Sequence, residues 1–484
     1  MSNNKAFAKK RNNSIKVIVL GISILAAYIL VYILDFQNAV QGIMLFLIIS
    51  AALIGGYNLC QKFDSDMLVK YILFIGFVMR IGYMLYTPCP LRQHDLMDIS
   101  IDSNGHAAYI LNILDGHLPM SNEGQFYHPP LYHILSGIVI FVLKPILHLT
   151  NEIDVMNCAR LVSCFFSCIT LYCVKSLCVE LNIKKPIPLA LVAFLPNFYL
   201  MGGRVNNDAM AMFFMTIILI YSIRWYKEQS RKNTLILALS FGLGMMSKMS
   251  VAVFAIPSGL VMIYVLAKSV KSHNLLKTLK SLCLFAAVSI PLGLAYPIRN
   301  MIMFHQPLNY VLNVSDAGFA SENYSYTQRF LTFPITKIVS PVYNDVYNDY
   351  NLWMYLLKGG LFGEFRFKIV TAIPATMLFI YTIITILMLI SVVRSLKDKD
   401  ISVRYLVLSA SVLMISYIAF NIKYPYGCTM DFRYIAPVFV ICALLFGRFL
   451  DLNKDKKISN LIHRISAVAV LTFSILSIYM FCVI

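Results

Sequence analysis

Acidic and histidine side chains are concentrated in one polar segment of this otherwise apolar chain. Residues 92–133 contain five carboxylates, and Arg92 is the only cation among them. The carboxylates are Asp95, Asp98, Asp102, Asp115 and Glu123; the histidines of this region are His94, His106, His117, His128, His133 and, shortly after it, His148. Carboxylates and imidazoles are common general acids and bases in enzymes. The segment therefore predicts proton-transfer chemistry in a single loop.

The rest of the chain must hold this loop at a membrane. Hydrophobic residues make up 59% of the 484 residues and charged residues only 13%, a composition that excludes a soluble globular protein. Apolar runs of about 17–25 residues, long enough to cross a bilayer, recur along the whole length. We expect an all-α polytopic membrane protein that forms one domain, residues 1–484, with about thirteen transmembrane helices.

Charge distribution predicts which side of the membrane each loop occupies. The first apolar run, Ser14–Leu34, follows basic residues and is too long for a signal peptide, so we interpret it as a retained helix with a cytoplasmic N-terminus. Two further helices, Ala39–Leu59 and Tyr71–Tyr86, then place the acidic loop, residues 88–130, outside. The net charge of +18 is explained by basic cytoplasmic loops, and no nucleic-acid partner is expected.

The second half of the chain follows the same rule. Four basic segments, 224–232, 268–280, 394–404 and 448–464, alternate with weakly charged or mixed ones. The turn 204–208, the long loop 299–368 and the turn 423–433 are accordingly predicted to be external. We expect a multi-pass protein of a bacterial plasma membrane with its active site on the external face.

One stretch conflicts with simple alternation. Three apolar segments, Leu131–Leu147, Ala159–Leu181 and Ile187–Met201, lie between two external regions, and an odd number of crossings cannot join two regions on one side. Lys184 and Lys185 place the chain inside just before Ile187. One of the first two segments is therefore predicted to be a short or re-entrant helix.

The eleven cysteines do not predict disulfides or a metal cluster. Most lie in apolar runs, and the sequence contains no CxxC pair. Five of them fall in the single segment 158–178. We interpret these as small packing residues.

Four local patterns together resemble the GT-C class of integral membrane glycosyltransferases. They are the acidic loop ending in YHPPL, the stretch RVNNDAMAMFF, the stretch GLGMMSKMSVAVFAIP and the late motif CTMDFRYIAP. The set is most similar to the branch of protein O-mannosyltransferases and lipid A aminoarabinose transferases. The resemblance implies a sugar donor carried on a polyprenyl phosphate.

The resemblance also implies a catalytic carboxylate at the start of a membrane-parallel helix in the first external loop. Asp102 stands at that position, which makes it the candidate base; the alternative is that Asp102 or Ser103 only caps a helix over 105–114. Ile110, Ile113 and Leu114 would then face the membrane. Ser103 replaces the second acid of the family pattern, and His94 and Asp95 are candidates for the missing partner.

Cations at external helix ends are the candidates for binding the donor phosphate. The resemblance favours Arg433, because the family places a phosphate-contacting arginine in a similar late motif; a guanidinium fork suits phosphate oxygens. Arg204, Lys248 and Arg299 are further candidates. All four could instead extend towards lipid headgroups, and Asp431 could neutralise Arg433. Asp208 either faces the donor pocket or simply caps a helix.

A divalent metal ion is a possible cofactor, and no other cofactor is expected. His94, Asp95, His106 and His128 could converge when the loop folds, although the sequence contains no closely spaced histidine pair. The alternative is that these histidines make structural hydrogen bonds.

The predicted function is transfer of a sugar from a polyprenyl-phosphate donor to a protein, lipid or envelope-glycan acceptor. We expect inversion at the anomeric carbon, since a direct displacement needs only one base. The Tyr- and Asn-rich loop 299–368 suits contact with sugar or peptide, or equally with headgroups. The alternatives are a polymerase or ligase for lipid-linked glycans, or a flippase, which would carry ionisable residues deep in its helices.

Overall fold

The computed structural model describes residues 2–62, 64–93, 95–271, 274–312, 324–333, 350–363, 372–452 and 457–483, which form helices joined by turns and loops. In chain order the helices are α1 Ser2–Ile33, α2 Val40–Gln61, α3 Ser65–Tyr86, α4 His106–Leu114, α5 Leu131–Ile146, α6 Glu152–Glu180, α7 Ile187–Phe194, α8 Pro196–Gly202, α9 Asp208–Lys227, α10 Arg231–Ser247, α11 Ala255–Lys271, α12 Leu275–Phe304, α13 Leu352–Phe362, α14 Ala372–Ser395, α15 Ile401–Lys423, α16 Ala436–Leu452 and α17 Lys457–Val483. The described residues contain no strand. The prediction of an all-α polytopic membrane protein is confirmed.

Ten spans in the described part of the chain are long and apolar enough to cross a membrane. They include the three predicted N-terminal crossings, now bounded as Ser14–Ile33, Gln37–Gln61 and Ser65–Tyr86. Helices α5, α10 and α16 have 16, 17 and 17 residues and are shorter than each of those ten spans. The total of thirteen crossings stays a prediction.

The ends of the helices gather on two opposite sides. We call the side that bears residues 87–105 the loop face, and the other side the basic face. On the basic face, Glu180 pairs with Arg224 and Lys227, Arg448 pairs with Asp398, and the amide of Lys184 donates to Asp451. These contacts join the ends of α6, α9, α14 and α16. The two-sided arrangement is the one that the alternation of basic loops predicts.

Helix α5 begins and ends on the loop face. Its first turn lies against the second and third turns of α6, where Tyr132 bonds to Ala159 and Ser163. The chain then enters α6 at Glu152, and Asn157, in the first turns of α6, accepts a hydrogen bond from the amide of Cys89 at the end of α3. Of the two segments in conflict, these contacts favour α5 as the one that does not cross. The 29-residue α6 runs from the loop face to the basic face.

The segment predicted at Ile187–Met201 is broken in two by Pro196. A proline removes a backbone donor and leaves helix carbonyls without partners, which is costly inside a membrane. Arg80 of α3, fully buried, donates to the carbonyls of Val192 and Ala193 at this break. Arg160 of α6 similarly donates to Thr87 and Gly203, and so fixes the turn that follows α8. Both arginines hold irregular backbone in place.

The cysteines of α6 pack as predicted. Cys158, Cys164, Cys168, Cys173 and Cys178 are all buried, and they are free thiols. Small side chains at these positions allow α3, α8 and α9 to approach α6 closely.

Candidate active site

The acidic loop is fixed to the turn before α9 by paired hydrogen bonds. Gln93 donates to the carbonyl of Val205 at 2.8 Å and accepts from the amide of Val205 at 2.8 Å. The side-chain amide of Gln93 also donates from Nε2 to Asp95 Oδ1 at 3.0 Å. Gln93 therefore sets the position of the Asp95 carboxylate relative to Asp208, which begins α9.

Helix α4 starts four residues after Asp102. Its N-cap is Gly105, so the prediction that Asp102 or Ser103 caps this helix is wrong. A Cβ atom at Gly105 would lie 2.2 Å from the carbonyl oxygen of Leu96, and only glycine permits that approach. Ile110 is fully buried and packs in the interior, which corrects the expectation that it faces the membrane.

A cluster of carboxylates and cations lies where the acidic loop, α9, the α10–α11 connection and the turn before α16 meet. Arg433 contacts Asp95 with 2.6 Å between Nη1 and Oδ2, and contacts Asp208 at 3.3 Å. Lys248 pairs with the other oxygen of Asp208. Asp431 lies 3.5 Å from Arg433 Nε and also accepts from its backbone amide. Arg433 thus joins three carboxylates, two of them far away in the sequence.

Three histidines lie behind this cluster. His106 Nε2 is 3.8 Å from Asp95 Oδ2, and its Nδ1 shares a hydrogen bond of 2.9 Å with His133 Nε2. The rings of His106 and His128 stack at 5.6 Å, and that of His133 stacks on Tyr109 at 3.8 Å. This arrangement places an imidazole chain directly next to the carboxylate that Arg433 holds.

The surroundings keep Asp95 ionised and His106 neutral. Burial opposes ionisation of Asp95, but Arg433, His106 and Arg204 outweigh it and hold the pKa of this carboxyl below its usual range. Burial lowers the pKa of His106 from 6.5 to about 4, although Asp95 and Asp208 oppose the shift. Burial and then Lys248 lower the pKa of His128. Burial disfavours the charged form of Arg433, but Tyr434 and the three carboxylates raise its pKa.

Residues of the cluster line a large cavity. The cavity has a volume of about 700 Å³. Its lining includes Asp95, His106, His128, Lys248 and Arg433. Tyr434 lies beneath both cations, with Lys248 Nζ 5.1 Å and Arg433 Cζ 5.4 Å from its ring centre. Apolar side chains also line the cavity, among them Val253, Leu308, Leu312, Leu413 and Phe420. Such a cavity fits an amphipathic ligand with an anionic group at one end.

Six of the ten residues predicted for the site meet in this cluster: Asp95, His106, His128, Asp208, Lys248 and Arg433. Arg204 is buried nearby and acts electrostatically on Asp95. Arg299 instead donates to the carbonyl of Pro119 at 2.8 Å and anchors the acidic loop to α12. Asp102 is exposed and is not among the described residues that line the cavity. His94 lies outside the described residues.

Gln93 and Tyr434 were not predicted from the sequence to belong to the site. Each is close in sequence to a residue that was predicted, Gln93 to Asp95 and Tyr434 to Arg433. His133 belonged to the histidine-rich segment but was not placed in the site. An amide two residues before a candidate carboxylate, and an aromatic ring after a candidate arginine, are the signals that could have found them.

The described residues offer no ready metal site. Among them, no group of three His, Cys, Asp or Glu side chains is arranged to hold a metal ion. Both oxygens of Asp95 and both of Asp208 already accept from Gln93, Arg433 or Lys248. A divalent ion bound by these carboxylates would have to displace those donors.

Because burial lowers the pKa of His106 to about 4, we expect thermal stability to fall as the pH is lowered from about 6.5 to about 4. In this pH window His106 binds a proton in the unfolded chain but not in the folded protein. Lowering the pH therefore stabilises the unfolded state relative to the folded state. The apparent Tm in detergent, measured from pH 8 to pH 4, should decline over this range. The decline should be smaller in His106→Gln and unchanged in the exposed control His117→Gln. An equal decline in wild type and His106→Gln would contradict the neutral assignment.

Comparison with known proteins supports a glycosyltransferase. Residues 138–294 match the model of the dolichyl-phosphate-mannose-protein mannosyltransferase family. No curated protein matches the chain significantly. The matched segment supplies Arg204, Asp208 and Lys248, whereas the acidic loop and Arg433 lie outside it. The similarity to GT-C-type enzymes is thus confirmed, and it supports a membrane glycosyltransferase that uses a lipid-linked sugar donor.

Proposed function

We propose that this protein transfers a single sugar from a polyprenyl-phosphate donor to an acceptor hydroxyl on the external face of the plasma membrane. The observation that carries the proposal is the cavity itself, which is lined both by Asp95, Arg433 and Lys248 and by apolar side chains. The charged side chains suit a sugar phosphate and its attacking group. The apolar side chains suit the start of a prenyl chain.

In this mechanism Arg433 and Lys248 bind the donor phosphate. The oxygen of the acceptor hydroxyl attacks the anomeric carbon, the bond from that carbon to the phosphate oxygen breaks, and the electron pair leaves with the polyprenyl phosphate. Asp95 takes the proton of the hydroxyl. Because the attack and the departure occur on opposite sides of one carbon, the transfer inverts its configuration.

The contacts of Arg433 give the donor a second role. An ion pair with Arg433 makes Asp95 a weak base, because a carboxylate whose pKa is lowered has little affinity for a proton. A donor phosphate competes for the same guanidinium. Once the phosphate takes Arg433, the pKa of Asp95 rises towards its ordinary value, and the base becomes effective only when the donor is in place.

Two features favour this reaction over the alternatives. A volume of about 700 Å³ is suited to one sugar, its phosphate and the first part of a lipid rather than to a long glycan, which argues against a polymerase or ligase. A flippase would use ionisable residues along its path. The buried Arg80 and Arg160 bond to backbone carbonyls and serve the fold instead.

The test is release of polyprenyl phosphate by the purified protein. Supplied with a polyprenyl-phosphate monosaccharide and a soluble acceptor, it should yield glycosylated acceptor, with the anomeric configuration inverted by NMR. Mass spectrometry of envelope glycans and glycoproteins should show the loss of one monosaccharide when the gene is deleted. A protein that moves the donor between leaflets of a vesicle without releasing polyprenyl phosphate would contradict the proposal.

A prediction about topology follows from the two faces of the molecule. Asn122→Cys should react with a membrane-impermeant maleimide on intact cells, whereas Lys271→Cys should react only after lysis. Cys60 and Cys283 are the native cysteines with exposed side chains, so the measurement belongs in a background with both changed to serine. The reverse labelling pattern would place the cavity on the cytoplasmic side and contradict the external assignment.

A further inference from the structure

The wall of the cavity contains a buried amide whose donor has no partner. Gln306 is 4% exposed and lines the cavity, and its Nε2 makes no hydrogen bond. A buried donor without a partner typically destabilises a folded protein by about 1–3 kcal/mol. A hydrophobic side chain of similar size would avoid that cost, so the amide is better explained by a ligand than by the fold.

The backbone holds Gln306 in a defined place. Helix α12 ends at Phe304, and His305 adopts the left-handed conformation, with φ of 55°, that ends many helices. The amide of Gln306 then donates back to the carbonyl of Asn300 at 3.4 Å. Pro307 follows, and its carbonyl accepts from the amide of Tyr310 at 3.0 Å in a tight turn. The side chain therefore projects from a constrained segment.

The same region is joined to the acidic loop. Tyr296 of α12 donates to the carbonyl of Phe126 at 2.8 Å, and the rings of Tyr127 and Tyr310 meet edge to face at 5.5 Å. Tyr127 also adjoins the charged cluster, since burial and Tyr434 raise the pKa of its hydroxyl while Arg433 lowers it. Tyr127 thus lies between the phosphate-binding cations and the segment that carries Gln306.

The polar groups of this wall are neutral in the described residues. Asn300, Gln306 and Asn309 supply amides, and Tyr127 and Tyr310 supply rings with hydroxyls. Amides that hydrogen-bond and aromatic rings that pack against C–H faces suit a sugar. A phosphate would be drawn to Lys248 and Arg433 instead.

We propose that Gln306 is a specificity-determining residue that donates from Nε2 to one hydroxyl oxygen of the donor sugar. This inference rests on the proposed function and names the part of the cavity that recognises the sugar. A site built to bond a hydroxyl discriminates strongly against an analogue that lacks it, because its own donor is then left unpaired.

Gln306→Leu provides the test, together with a set of donors that each lack one sugar hydroxyl. The variant should bind the full donor about five- to fifty-fold more weakly than wild type. For one deoxy donor the two proteins should bind equally, because the variant and the analogue remove the same hydrogen bond. The apparent Tm of Gln306→Leu should be unchanged or higher, whereas a structural amide would give a lower one. Gln61→Leu, at an exposed amide on the basic face, is the matched control and should leave affinity unchanged.

Sugar-free polyprenyl phosphate separates this inference from the proposed function. Its affinity should be the same for wild type and Gln306→Leu, and lower for Arg433→Ala. If Gln306→Leu binds every donor as wild type does while Arg433→Ala binds them weakly, the role of Gln306 is overturned and the proposed function stands. If neither wild type nor the variants bind any lipid phosphate, the proposed function fails.

Discussion

Asp95→Asn should reduce sugar transfer by about 100- to 10,000-fold, the usual contribution of a positioned general base. The asparagine has nearly the shape of the aspartate but cannot accept the proton of the acceptor. Arg433 keeps Asp208 and Asp431 as partners in this variant, so the cluster is not left with an unpaired buried cation. Thermal stability should therefore remain close to that of wild type, and donor affinity should be equal or higher because residue 95 no longer competes as a carboxylate for Arg433. Initial rates with purified protein would measure the loss of transfer.

Asp102→Asn is the matched control for this experiment. Both changes replace a carboxylate of the same loop by an amide, but Asp102 is exposed whereas the side chain of Asp95 is only 15% exposed and contacts Arg433. We expect Asp102→Asn to retain activity within a few-fold of wild type. The opposite result, with Asp102→Asn inactive and Asp95→Asn active, would restore Asp102 as the base and contradict the mechanism proposed above.

The helices and the position of the site were predictable from the sequence because both depend on local signals. Apolar runs long enough for a bilayer gave the three N-terminal crossings to within a few residues, apart from an earlier start for α3. The acidic loop indicated where titratable groups are concentrated. The late motif CTMDFRYIAP carried the arginine that completes the cluster.

Which of Asp95 and Asp102 lies beside the cations was not predictable in this way. It depends on contacts between residues far apart in the chain, since Asp95 and Arg433 are separated by 338 positions. An Asp or Ser shortly before a helix suggests a side-chain cap, but Gly105 allows the chain to turn tightly against Leu96 and start α4 without one. Asp102 is therefore left on the surface, and Asp95 takes the place beside the cations.

The break in the helix at Pro196 was not predicted from the sequence either. The sequence predicts one apolar crossing at Ile187–Met201, but Pro196 divides this segment into α7 and α8. What makes the break tolerable is the guanidinium of Arg80, which comes from a helix more than 100 residues earlier. The alternation of loops predicts that one of the two segments does not cross, but only the contact of α5 with the second and third turns of α6 favours α5 as that segment.

Arg433→Ala should weaken binding of the lipid-phosphate donor by about ten- to a hundred-fold. Losing a charged hydrogen-bonding partner typically costs about 1.5–3 kcal/mol. Arg433→Lys should recover part of the affinity, because lysine keeps the charge but loses the planar fork that matches two phosphate oxygens. Titration of the purified variants with polyprenyl phosphate, with and without its sugar, would measure both effects.

The readout must separate phosphate binding from the ion pairs that Arg433 makes in the absence of donor. Its removal leaves Asp95, Asp208 and Asp431 with fewer cations, so Arg433→Ala is expected to lose stability in either case. The double variant Asp95→Asn, Arg433→Ala removes one charge of each sign and should fold better, yet it should still bind the donor weakly. Lys423→Ala, which removes an exposed cation at the end of α15, should leave affinity unchanged. Wild-type affinity in the double variant would show that Arg433 serves the fold and that Lys248 binds the phosphate without it.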